Sequence, residues 1–187
     1  FRIFTSPSRL VTDYFRLGGL GSTFFNAAIC GLACNAIILL SRVKASATTF
    51  AGYMLVIAHC FYGLNFVNMW PPFIGVLLYC FITKKPFREN VHVSLFSTAL
   101  GPFISDFLFR YTLRGDFEFG EPKITAFGVV LAILFGLAAG FVVPSLLPGT
   151  TAMHRGFNMY KAGLAIGTLG IFIYSFMYKT LGASEPE

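Results

Sequence analysis

Residues 124–147 contain no charged side chain, and that one stretch limits what the chain can become. A bilayer-crossing helix needs about 20 mostly apolar residues. Inside lipid no water serves the backbone polar groups, and a helix satisfies them within its own segment. Residues 20–41 and 47–66 likewise carry no charge, 91–109 and 157–181 are apolar apart from Asp106, Lys161 and Lys179, and 69–83 is apolar but short. Only 12% of the 187 residues are charged, against about 25% in an ordinary soluble domain. Mean hydropathy is +0.71. The expected fold is all-α: a polytopic transmembrane bundle of about six spans within one integral membrane domain, residues 1–187.

Residues 1–18 mix apolar and charged positions and read as an interfacial amphipathic helix broken at Gly18-Gly19, with the bundle proper over 20–181. Trp70-Pro71-Pro72 opens the short segment, in the first turn where a missing N–H is harmless. With the polar residues just before it, this predicts a broken or re-entrant element near 65–83. Pro144 and Pro148-Gly149 are expected to close the cleanest span, and Gly101-Pro102 to break the one before it. The chain starts at Phe1 rather than Met and reads as a piece of a longer chain.

Net charge is +6. The basic residues sit between apolar runs, where cytoplasmic loops and anionic headgroups account for them, so nucleic acid is not an expected partner. Short, nearly acid-free loops at 42–46 and 84–90 are expected to be cytoplasmic. Cys30, Cys34, Cys60 and Cys80 lie in apolar segments without a C-x-x-C pair and are expected to be buried free thiols. The three histidines are scattered, and no phosphate-binding glycine loop or nucleophile motif is present. The expectation is therefore no cofactor, no metal and no enzymatic activity.

Phe25-Asn26 followed by Gly31-Leu32-Ala33 recurs as Phe157-Asn158 followed by Gly163-Leu164-Ala165. Across an odd number of crossings the copies would point in opposite directions, as inverted-repeat transporters require. Chance recurrence in a Phe-rich chain is the competing explanation. Small residues every fourth position form stripes that admit a second backbone: Thr23, Ala27 and Gly31; Gly163 and Gly167; Gly128, Ala132, Gly136 and Gly140.

Polar side chains at membrane depth usually face the bundle interior or water. By that rule the candidates for a solute pathway are Asn26, His59, Asn65, Asn68 and Asn158. Asn65 and Asn68, three apart, would share a helical face. Asparagine as interhelical glue is the plainer reading of Asn26 and Asn158. Asp106 is expected to pair with Arg110, one helical turn on.

The chain resembles a family of bacterial multi-pass membrane proteins known as domain of unknown function 1576. The resemblance rests on Ser6 to Tyr14, Gly18 to Gly21 with Phe25-Asn26-Ala27, Gly63 to Pro71, Gly75 to Tyr79, Leu95 to Pro102 and His154 to Tyr160. The family has glycine where this chain has Ala58 and Arg155, which weakens a role for His59 and His154. The resemblance implies an integral location in a bacterial inner membrane and a tandem, duplicated architecture. It implies no substrate, cofactor or catalytic residue. Together these features lead to a transporter or channel for a small polar solute, with a non-catalytic membrane-embedded binding or assembly subunit as the alternative. Besides the lipid bilayer, the partners expected are that solute and either a second copy of the chain or the other half of a longer one.

Overall fold

Eight α-helices make up the described part of the chain, and their packing follows from where glycine and proline let backbones meet. The structure is a computed structural model that describes residues 2–6, 12–44, 46–110, 124–153, 155 and 161–180. The helices are α1 (Arg2–Thr5), α2 (Tyr14–Leu40), α3 (Ala47–His59), α4 (Trp70–Ile82), α5 (Phe87–Ser97), α6 (Gly101–Arg110), α7 (Ala126–Met153) and α8 (Lys161–Ser175). A 3-10 turn over Thr98–Leu100 joins α5 to α6, and a π-helical turn over Phe176–Thr180 extends α8.

Among the described residues, four helical stretches are long and apolar enough to cross a membrane: Tyr14–Leu40, Phe87–Phe109, Ala126–Thr150 and Ala162–Thr180. This is the build of a membrane protein. Residues such as Leu32, Phe50, Phe81, Ile171 and Phe172 are exposed on the outside, as a lipid-facing surface requires. The remaining apolar helices, α3 and α4, have 13 residues each. At 1.5 Å per residue each is about 20 Å long, short of the ~30 Å core.

The α5–α6 helix is the axis of the fold. In its most apolar window 78% of the residues are buried, against 33%, 33% and 28% in the other three long helices. It also carries buried Ser94, Ser97, Thr98, Ser105 and Asp106, which only an inner helix can hold at this depth. One apolar cluster (Val76, Phe103, Phe107, Val143, Met177) gathers α4, α6, α7 and α8. A second (Cys30, Val56, Leu64, Phe73, Leu95) gathers α2, α3, α4 and α5. Helix α4 contributes to both and ties the two halves together.

Contacts set the directions. Gly31 faces Tyr53 and Ile57 while Asn26 reaches Cys60, so α2 and α3 are antiparallel. Pro71 meets Gly136, and Gly75 meets Leu137, Gly140 and Phe141, so α4 and α7 run parallel. Ile104 lies by Gly136 and Phe107 by Gly128, which makes α6 antiparallel to α7. The ends of α2, α4 and α7 are each followed by a basic residue at positive φ: Arg42, Lys84 and Arg155.

Several boundaries differ from those expected. The helix opened at Ala47 stops at His59 rather than running to 66, because Gly63 sits at φ 121 and the side chain of Asn65 turns the backbone back on itself. Asn65 and Asn68 are therefore not on a helical face. Residues 14–18 begin α2 instead of forming a separate interfacial helix, and Gly19 (φ 76, ψ 169) is a kink within it. Helix α7 continues through Pro144 and Pro148 to Met153. In a bilayer-spanning helix, neighbouring helices and hydroxyl groups compensate the lost N–H bonds. Of the about six spans expected, the described residues supply the four long stretches and the short pair; Phe157-Asn158, which opens the second copy of the expected repeat, lies outside the described residues.

Candidate functional site

The segment between α3 and α4, residues 60–69, is irregular backbone inside a helical bundle, so its carbonyls and amides need partners that no helix supplies. Three asparagine side chains provide several of them, beside backbone bonds such as the Tyr14 N–H to Phe61 O and the Leu64 N–H to His59 O. Asn26, about two turns past the Gly19 kink of α2, donates both amide hydrogens to the segment, to Cys60 O (3.2 Å) and Leu64 O (2.9 Å). Its oxygen accepts the weak Cys30 thiol donor at 3.8 Å.

Asn65 and Asn68 bond each other reciprocally. Asn65 Oδ1 accepts from the Val67 and Asn68 N–H groups, and Asn68 Oδ1 accepts from the Asn65 N–H at 2.8 Å. Such side-chain turns displace a helical ladder. The remaining donors look outwards. Asn65 Nδ2 donates to Ile3 O and to the Tyr14 hydroxyl, each at 3.2 Å. Asn68 Nδ2 donates to Gly63 O (2.9 Å) and to Ser105 Oγ (2.8 Å) on α6. Tyr14 Oη in turn donates to Gly63 O at 2.8 Å. Asn26, Asn65, Asn68, Tyr14 and Ser105 are all at most 1% exposed.

The close approach of α6 depends on Gly101. A Cβ there would come within 2.6 Å of Leu64 Cδ1 and 2.8 Å of Asn68 Oδ1. The 3-10 turn at Thr98–Leu100 lies just before this contact, with Thr98 Oγ1 bonded back to Leu95 O. The tip of a short-helix pair thus meets the long α5–α6 helix close to where its hydrogen-bond ladder changes type. On the other side α1 closes over the tip, through Ile3 O and a buried Ile3 side chain.

The expected pathway residues separate here. Asn26, Asn65 and Asn68 converge on one segment. His59 is only half-buried, and its Nδ1 is bonded to Leu55 O at 2.8 Å, away from the asparagines. Asn158 and His154 lie outside the described residues, as does the Arg110 side chain. Asp106 Oδ2 accepts from Tyr178 Oη at 3.0 Å. Tyr14 and Ser105 complete the site, and Ile3 contributes through its carbonyl. Ser105 belongs to the polar group around Gly101-Pro102, but nothing in the sequence links Tyr14 to residues 49 to 51 positions away.

The small-residue stripes also separate. Gly31 packs against α3, and Gly128, Gly136 and Gly140 meet the backbone or side chains of α6 and α4; Ala132 is buried beside them. Gly163 and Gly167 are exposed, and nothing lies within 4 Å of a Cβ built on Gly167. All four cysteines are free and buried. Among the described residues no group of three or more His, Cys, Asp or Glu side chains is placed to hold a metal ion.

Tyr14→Phe removes one hydrogen bond to Gly63 O and one acceptor for Asn65. A buried hydrogen bond is worth about 0.5–1.5 kcal/mol net, so thermal unfolding in detergent is expected to fall by a few degrees. An unchanged midpoint would show the hydroxyl contributes nothing to the tip.

A family model described as "Protein of unknown function (DUF1576)" matches residues 1–179. Neither a curated protein nor a solved structure matches the chain.

Proposed function

Since the chain belongs to the DUF1576 family, whose description assigns no activity, we propose a function from geometry: a non-catalytic transporter or channel for a small polar solute in a bacterial inner membrane. In this reading α3 and α4 are a re-entrant hairpin whose tip, residues 60–69, is the gate. The observation that carries it is the convergence of Asn26, Asn65 and Asn68 on irregular backbone opposite the 3-10 turn of the central helix. Membrane proteins tolerate irregular backbone where it is buried in protein or lines a cavity, and transporter sites are commonly built at such interruptions.

In the conformation described, every amide hydrogen of the three asparagines is already bonded. The asparagines therefore act as the latch of a closed state. Withdrawal of the tip from α6 would release Asn68 and Ser105 together and offer their donors to a solute. The assembly-subunit alternative is less well supported, since the Gly128–Gly140 stripe meant for a partner is occupied by α4 and α6 of the same chain.

The test is water accessibility of a residue that the closed state hides. With the native cysteines replaced, Ser105→Cys in membranes should react slowly with a small hydrophilic methanethiosulfonate. A Cys pair at Asn68 and Ser105, once cross-linked, should stop both that opening and any solute flux in proteoliposomes. Complete inertness of the thiol at 105 over hours would mean the tip is permanently packed, and the gate reading would fail.

A further inference from the structure

A second feature lies where α1 packs on the start of α2. A cavity of about 400 Å³, open to the outside, is lined by Arg2, Arg16, Ser22, the Gly18-Gly19 pair and Ile3. A water occupies roughly 30 Å³ of liquid volume, so there is room for a tetrahedral anion with part of its hydration shell. We propose that this cavity binds a phosphate group, carried by a lipid headgroup or by a free phosphorylated solute, through the guanidinium groups of Arg2 and Arg16. The site is separate from the hairpin tip and stands whether or not the chain moves a solute.

Three observations converge. First, Arg2 and Arg16 come from different helices, yet line the same cavity, and neither side chain has an ion-pair or hydrogen-bond partner among the described residues. Two like charges brought together without an acid call for an anion, and the planar guanidinium fork matches phosphate oxygens. Second, the nearest acid in sequence, Asp13, caps α2 instead: its Oδ1 accepts from the Phe15 N–H (2.9 Å) and the Arg16 N–H (3.2 Å). It thereby holds the backbone of Arg16, and no carboxylate is among the described residues that line the cavity. Third, the shape of the cavity depends on glycine. A Cβ on Gly18 would lie 2.9 Å from both Ile3 Cγ1 and Ile3 Cδ1, so a side chain at 18 would press on Ile3 of α1, the helix that carries Arg2. At Gly19 the positive φ turns the chain, and Ser22, on the first turn beyond, also lines the cavity.

The position suits a membrane-surface ligand, since Arg16 stands at the start of a long apolar helix whose next charged residue is Arg42. A lipid phosphate and a soluble phosphate monoester meet the same chemistry here, and the experiment separates them.

The full chain is purified in detergent and titrated with inorganic phosphate, and in parallel placed in phosphatidylcholine nanodiscs with and without phosphatidylglycerol to measure retained lipid by native mass spectrometry. Saturable binding of inorganic phosphate identifies a soluble phosphate as the ligand; selective lipid retention without it identifies a headgroup. In either arm, the Arg2→Gln and Arg16→Gln changes should each weaken binding about tenfold, as loss of a charge-assisted contact predicts. Arg42→Gln, exposed at the other end of α2, should leave binding unchanged. Gly18→Val keeps both charges but pushes α1 away, and should weaken binding as much as Arg2→Gln. All three cavity positions are at the periphery of the bundle, and an unshifted unfolding midpoint checks that the chain folds. Binding in neither arm, or equal losses for Arg42→Gln and the cavity variants, would overturn the proposal, the latter by showing a general effect of surface charge.

Discussion

Gly140→Leu should prevent the bundle from assembling. The Gly140 face of α7 lies against the carbonyl of Pro72: a Cβ would overlap that oxygen and come within 2.9 Å of Pro72 Cα. Across the contact, a Cβ on Gly75 would overlap Leu137 O and come within 2.8 Å of Gly140 Cα. The obstruction is backbone on both sides, so no rotamer change relieves it, and the two helices must separate. Overpacking a core costs about 1–3 kcal/mol even where side chains can yield. A leucine against rigid backbone should exceed that range and consume much of the ~5–15 kcal/mol that holds a typical domain. Because α4 joins both apolar clusters, its displacement would also loosen the hairpin tip. The measurement is the yield of monodisperse protein and its unfolding midpoint, with Gly167→Leu as the control, since a Cβ there meets nothing within 4 Å. Equal behaviour of the two variants would show that the α4–α7 contact is not close-packed.

Asn65→Ala is expected to be the most damaging polar change. It removes four hydrogen bonds at once: two accepted from Val67 and Asn68 N–H groups and two donated to Ile3 O and Tyr14 Oη. Side-chain hydrogen bonds inside membrane proteins average about 0.6 kcal/mol and reach about 1.7, so the total loss should be roughly 2–5 kcal/mol. The change also frees α1, whose Ile3 carbonyl is tied to the tip by Asn65. Hydrogen exchange over residues 2–6 and 60–69 should therefore accelerate together. His59→Ala, which loses one bond to Leu55 O on its own helix, should cost well under 1 kcal/mol and leave that exchange unchanged. If Asn65→Ala perturbs the tip but not α1, the Ile3 contact carries no weight. The same variant bears on the gate: a latch released by mutation should make the thiol at Ser105→Cys react faster.

Local physics was readable from the residues. The cost of polar groups in lipid singles out Asn26, His59, Asn65, Asn68 and Asn158; the first, third and fourth meet at one segment, His59 bonds its own helix instead, and Asn158 lies outside the described residues. The double proline at 71–72 marks the start of α4, in the turn where missing N–H groups cost nothing. The same reasoning misplaced the end of α3. Apolar content continues through Phe61, Leu64 and Phe66, and only the reciprocal bonding of Asn65 and Asn68 shows that the backbone there is a turn. Proline also misled in α7. As a helix breaker in water it reads as a stop, but within a bilayer-length helix the remaining backbone bonds are better kept than exposed.

Tyr14 was legible only from the fold. Its own neighbourhood, between Asp13 and Arg16, reads as interfacial, and its burial depends on α1 and the hairpin tip closing around it.

What the sequence alone determined is the membrane-spanning helical character, because transfer of an apolar stretch into lipid is a property of that stretch. Which surfaces then meet was decided by the tertiary structure. Two similar glycine stripes illustrate the division: Gly128 to Gly140 is filled by α6 and α4, while Gly163 and Gly167 face outwards. A small-residue stripe lowers the barrier to close approach equally in both helices. Only the Pro71-Pro72-Gly75 face of α4, itself too small to fill the gap any other way, selected the first of them as a partner.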